Sequence, residues 1–343
     1  MSSERNKRIA KNTLMLYLRQ VLVLFVSLYT VRVVLDVLGV EDYGIYSVVA
    51  SLVAISSFLP GSLASSTQRF FSFALGEENN DKLNKIFSTN LILYGAIALI
   101  SFLLMETLGL WFVNQHLTLP IERVDAALNL YQLSILIFVA GIFTSPFLAI
   151  IIAHEDMKTY AYISILEVLM KLGVVFLLGY LPWDKLELYG VLLLGVASIN
   201  SAVYIGVCLK KYEECQFRKF HWDASLLREL VGFTGWTVFG QFTSVARTHA
   251  ITLLLDQFFN PVVVVARTIA VRVADNINLF SINFNSGLYP PIIKSYAAGN
   301  KDEMFSLISN GAKITFFLLW FFAFPMLLDM EFILNLWLKN VPP

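Results

Sequence analysis

Residues 27–76 read "SLYTVRVVLDVLGVEDYGIYSVVASLVAISSFLPGSLASSTQRFFSFALG". A short polar turn, from Gly39 to Gly44, separates two apolar runs. The run before it reaches back to residue 12, and the run after it extends to residue 75. At a helical rise of 1.5 Å, about 20 apolar residues cross a hydrocarbon core ~30 Å thick. Neither run shows the alternation of a barrel strand. The stretch therefore predicts membrane-crossing helices joined by a tight turn. The second run is too long for one straight span and carries a break signal, "FLPGS" at 58–62.

The same pattern recurs along the 343 residues. The chain is 57% hydrophobic and only 15% charged, against about 45–50% and about 25% for a soluble domain. Nine apolar segments fall at 12–38, 43–75, 87–113, 128–152, 160–181, 188–209, 231–256, 262–290 and 313–334. The eighth has its own break signal, "YPP" at 289–291. Because lipid offers the backbone no hydrogen-bond partners, such segments must be helices. The expected fold is an all-α polytopic membrane protein of about nine transmembrane helices. The first span is longer than a signal-peptide core and no cleavage site follows it, so it is expected to be retained.

Lys and Arg are unevenly shared between the loops. With the N-terminus cytoplasmic, that side carries fourteen, from Arg5 to Lys301, and the other side only Arg123, Lys185 and Lys339. The positive-inside rule then places the N-terminus in the cytoplasm. Cys208 and Cys215 flank the longest cytoplasmic loop, where a reducing environment disfavours a disulfide, and they lack metal-ligand spacing. Of the four histidines, only His249 lies in a span, and a structural role is expected of it.

The chain repeats weakly. "SFALGEENNDKLNKIFSTN" (72–90) parallels "SYAAGNKDEMFSLISN" (295–310), each following a long helix and leading into an aromatic-rich one. Two lobes are expected: residues 1–209 with six helices, a cytoplasmic linker at 210–229, and residues 230–343 with three. Six is even, so both lobes start on the same side and the repeat is parallel. Equal lobes would need twelve helices, so the second is expected to be incomplete and the chain truncated.

Charges inside the spans are the candidates for function, since each costs roughly 2.5–3.5 kcal/mol at bilayer depth. In "ARTIAVRVADNINLF" (266–280), Arg272, Asp275, Asn276 and Asn283 share one helical face, and Arg267 stands on a second row beside it. The first helix offers Arg19, and the seventh offers Arg247 on a stripe with Trp236, Gly240 and Thr243. If these helices line one cavity, it is cationic, and a guanidinium grips phosphate oxygens bidentately. The alternative for Arg272 is a lock on Asp275 three residues away. Arg32 with Asp36, and Glu167 with Lys171, are spaced i,i+4 and are expected to form structural ion pairs. Phosphate loops and metal clusters are absent, and the outer loops reach only roughly 15 residues. A catalytic site, a cofactor, a metal and nucleic acid are accordingly not expected.

The 27–76 stretch, above all Leu38-Gly39 followed by Tyr43-Gly44-Ile45-Tyr46, resembles the start of bacterial Wzx-type polysaccharide flippases. These belong to a superfamily shared with lipid II flippases and MATE exporters. "SGLYPPIIKSYAAGN" (286–300) resembles the matching element of the second half. Members carry twelve to fourteen helices. The resemblance implies a MATE-like fold of two bundles in a V around a central cavity. It also implies flipping of an undecaprenyl-pyrophosphate-linked oligosaccharide to the outer leaflet of the bacterial inner membrane, by alternating access, for O-antigen, lipopolysaccharide or capsule assembly. Cavity arginines of related lipid II flippases carry over to Arg19 and to either Arg267 or Arg272. A coupling proton or sodium ion, and a polysaccharide polymerase and glycosyltransferases as partners, come with the same resemblance. The alternatives are a cation-coupled multidrug exporter, a membrane-embedded enzyme acting on the same lipid carrier, and an inactive fragment.

Overall fold

The first helix, α1 (Ser2–Ala54), holds the expected turn inside itself, because the chain bends at Gly39 without leaving helical hydrogen bonding on either side. Gly39 has φ 77° and ψ 172°, a conformation open to glycine because a Cβ would meet its own backbone. The computed structural model describes residues 2–54, 56–116, 120–216, 223–258 and 261–332. The side chains of residues 2–10, His249 and Arg272, and Lys339 in full, lie outside the described residues.

After a turn at 56–57 the chain descends as α2 (Phe58–Gly76). The break thus precedes "FLPGS", and Pro60 sits in the first turn, where its missing N–H has no helical partner to lose. α3 (Asn80–Leu104) continues through a π-helical turn, Met105–Gly109, into α4 (Leu110–His116). Then come α5 (Val124–Ala153), α6 (Met157–Tyr180), α7 (Lys185–Lys211), α8 (Ala224–Phe258), α9 (Pro261–Ala297) and α10 (Lys301–Leu328). The break expected at "YPP" is absent, since α9 runs unbroken through Pro290 and Pro291. Both prolines and Leu288 before them are buried, so packing holds the helix across the lost hydrogen bonds.

By length and composition, six stretches of described residues can cross a membrane: 11–76, 80–115, 124–153, 157–180, 185–211 and 301–328. The first joins two of the expected segments. α8 and α9, whose apolar runs are interrupted by Arg247, Arg267, Arg272 and Asp275, are not among them. The chain is an all-helical membrane protein whose first bundle, α1 to α7, is packed by α8 and α9 along α1, α2 and α3. The largest buried cluster joins Phe70 and Phe71 of α2, Phe87 of α3, Phe147 and Ile150 of α5, Tyr204 of α7 and Leu230 of α8.

Polar clips fix the two ends. At the apical end, Arg123 donates from Nε to Asp42 Oδ1 at 2.8 Å and pairs with Asp184. This ties the post-Gly39 turn to α5 and to the α6–α7 loop. Burial alone would raise the Asp184 carboxyl, but hydrogen bonds from Arg123 and from backbone amides at the start of α7 outweigh it and hold it below the usual carboxylate range. The same carboxylates push the Arg123 guanidinium up. Arg32 and Asp36, by contrast, are exposed and form no ion pair among the described residues. Their order, base before acid, opposes the helix dipole and is the weaker of the two arrangements.

The sequence repeat is visible in the backbone. Glu78 (φ 55°) and Gly299 (φ 74°) end α2 and α9 in the same left-handed conformation. Each is followed by an asparagine, Asn79 or Asn300, whose side chain caps the next helix.

Candidate functional site

α1, α2, α5, α6 and α7 line an open cavity of about 870 Å³. Its position follows from side-chain size. α5 presents Gly141, Thr144 and Ser145 to it, and α7 presents Ala197, Asn200 and Ser201. Small residues where helices would otherwise interdigitate leave space that larger ones would fill. On α6 the wall is Tyr160, Ser164, Glu167 and Lys171, four residues that helical spacing brings to one face.

Lys171 Nζ stands 2.6 Å from Glu167 Oε1, so the expected pair forms, and it does so on the cavity wall. The other carboxylate oxygen accepts from Asn200 Nδ2 at 3.3 Å. Glu167 is thereby held from two helices.

Arg19 lies at the foot of the cavity. Its Nη1 donates to the Tyr160 hydroxyl at 2.6 Å, and the guanidinium sits 4.8 Å from the centre of that ring. Nη2 donates to Gln20 Oε1 at 3.1 Å and to Asn283 Oδ1 of α9 at 3.3 Å. These partners are all neutral, and Arg19 forms no ion pair among the described residues. With Lys171 matched by Glu167, the described lining residues carry one positive charge, Arg19, without a carboxylate partner among them.

The structure brings together Arg19 and Asn283 of the sequence candidates. It does not bring Arg247, Asp275 or Asn276 to this cavity: all three are exposed, on α8 and α9, which contribute no lining residue among the described ones. Arg247 keeps its place on a stripe with Trp236, Gly240 and Thr243, and the whole stripe is open. Arg267 is half-buried on α9, and the side chain of Arg272 lies outside the described residues. Among the described side chains, this cavity therefore holds one of the candidate arginines, Arg19. α9 closes onto α1 and α2 at the foot and adds only Asn283 beside Arg19. Two members escaped sequence reading. Tyr160 is seven residues before Glu167 on the same face, and Asn200 is an amide in an apolar span, itself a signal of a polar neighbour.

The fold is that of the MATE transporters of the MOP superfamily. A MATE transporter in its straight conformation superposes with a TM-score of 0.80 at 13% identity, over 97% of this chain and 75% of that one. An outward-facing multidrug-resistance MATE transporter gives 0.76 at 13% identity, over 91% and 69%. A MOP superfamily transporter from Pyrococcus furiosus, described as having a binding pocket of reversed polarity and a different function, gives 0.76 at 13% identity over the same shares. No family model and no curated protein matches the sequence.

Proposed function

We propose that the protein is a transporter that moves an anionic, hydroxyl-rich lipid headgroup across the bacterial inner membrane, with a pyrophosphate-linked oligosaccharide on a polyprenyl carrier as its substrate. The observation that carries this is Arg19: a guanidinium facing a cavity of about 870 Å³, held in place by neutral groups alone. Such a fork is preorganised for phosphate oxygens and stays charged at any physiological pH. Ser164, Thr144, Ser201 and Asn200 supply the hydroxyl and amide partners that sugars require. The exposed polar face of α8 and α9, with Arg247, Asp275 and Asn276, supports a water-filled space at membrane depth; in this reading Arg267 and Arg272 belong to the same cationic helix. In this reading residues 1–209 form one lobe, 210–229 a cytoplasmic linker and 230–343 the second lobe, with the N-terminus inside. An inward-negative potential favours outward movement of a negative headgroup by about 2.3 kcal/mol per charge per 100 mV.

A MATE-type cation exporter is the second reading, favoured by the Glu167 carboxylate on the same wall. One experiment separates them. In cells expressing the full-length protein at equal levels, Arg19→Ala is expected to lower export of surface polysaccharide at least about tenfold, the effect of losing one charge-assisted contact, while Glu167→Gln changes it little. Unchanged export in Arg19→Ala, with drug resistance lost in Glu167→Gln, would replace the first reading by the second.

A further inference from the structure

The basal turn between α5 and α6, His154-Glu155-Asp156, is held more firmly than a connection needs. His154 Nε2 lies 2.6 Å from Glu214 Oε1, and its ring stacks on Tyr212 with centroids 4.2 Å apart. Asp156 pairs with Lys211, accepts from the Tyr212 hydroxyl at 3.2 Å and caps α6 through the Thr159 amide. Between these two anchored residues, Glu155 adopts φ 60°, a left-handed conformation that a side chain rarely takes without compensation. Glu155 is buried between α1 and α9. Its carboxylate, 4% exposed, meets Lys294 Nζ of α9 at 3.0 Å, while Asn12 donates to its backbone oxygen at 3.1 Å.

The backbones meet at the same level. A Cβ on Gly76, the last residue of α2, would stand 2.6 Å from the Lys294 carbonyl oxygen and 2.8 Å from the Ala297 Cβ. Glycine here allows α2 and α9 to touch. Just above, the Tyr17 hydroxyl donates to the Phe280 carbonyl at 3.1 Å, and Arg19 reaches Asn283. These hydrogen-bonded and ionic contacts of α9 with the first bundle fall in the basal half of the helices.

We propose that Glu155–Lys294, seated on Gly76, is a latch that closes the basal end between the first bundle and α9, and that its opening admits the alternative arrangement of the two. The strained turn is its fixed half and α9 its moving half. This holds whatever the cargo, since no cavity residue takes part.

The test is a distance. Lys158 and Lys301 are exposed at the basal end on either side, and Cys208 and Cys215 are buried. Spin labels on Lys158→Cys and Lys301→Cys should report one short separation in the otherwise unaltered protein. Glu155→Gln and, separately, Lys294→Met should raise the ratio of long to short separations about tenfold or more, as expected when one partner of a buried pair is removed. Exchanging the two charges, Glu155→Lys with Lys294→Glu, should restore the short one. Gly76→Leu should open the same end by bulk while leaving the pair's chemistry intact. A distribution unchanged in both single variants and in Gly76→Leu would overturn the latch, even if melting temperatures fell, because that result describes adhesion without gating.

Discussion

Replacing Arg123 by alanine should loosen the apical end of the first bundle by an amount the geometry sets. Arg123 bridges two carboxylates from separate parts of the chain, and the three side chains are 24%, 15% and 34% exposed. A hydrogen bond to a charged group contributes about 1.5–3 kcal/mol when buried, and an exposed pair about 0–1 kcal/mol. This intermediate exposure puts each contact near 1 kcal/mol and the clip near 2 kcal/mol, both about. At about 2–4 °C per kcal/mol for a large domain, the purified protein in detergent should melt about 4–8 °C lower, read by the fraction surviving size exclusion after heating. Arg123→Lys keeps the charge but not the fork, so it can satisfy one carboxylate and should recover about half of the loss. Acid supplies an internal control. Asp184 is held below its ordinary range, so its share of stability is complete above the unfolded value and is lost as pH falls through the folded one. The difference between parent and variant should therefore be flat from about pH 6 to 8 and shrink below about pH 4. An Arg123→Ala protein melting within about 1 °C of the parent at neutral pH would show that the clip is screened to nothing.

Two further substitutions test the interior and the bend. The Tyr94 hydroxyl donates to the Leu63 carbonyl and engages Thr67, all of them buried. Tyr94→Phe should cost about 1–3 kcal/mol, and adding Thr67→Val should cost less than additively because one orphaned group is removed; a fully additive double variant in the same melting assay would rule this out. Gly39→Ala meets no atom within 4 Å, so its cost, about 1–2 kcal/mol, should come from the backbone alone. Helical circular dichroism should stay unchanged, and Gly39→Asn should cost as much as Gly39→Ala, because ψ 172° lies outside the left-handed helical basin that asparagine tolerates; a loss of helix would mean that the bend itself is gone.

Much of this architecture was legible because it is periodic. Apolar blocks of membrane length, the Gly39 turn and the repeat of 72–90 at 295–310 are local signals that packing had no reason to override. The polar residues were harder. Helical spacing paired Glu167 with Lys171 correctly, but the face they occupy is decided by α7, whose Asn200 is 33 residues away. The same wheel grouped Arg247 with Trp236 and could not say that this stripe would be open. Arg32 and Asp36 had the spacing of a pair without the favourable order. Arg123 was counted as a loop charge, since its partners stand 81 and 61 residues away. Proline was read as a breaker at 289–291, where burial kept the helix whole.

One feature of the cavity bears on how such proteins diversify. Among the described residues its lining runs from Arg19 to Tyr204, so the cavity wall is encoded by a single contiguous stretch of the gene. A chimera that keeps this stretch and borrows the rest from a distant homologue should keep the Arg19–Tyr160 and Glu167–Lys171 contacts of the wall. Recombination downstream of position 204 would then exchange the helices that close onto this bundle while leaving its inner wall intact.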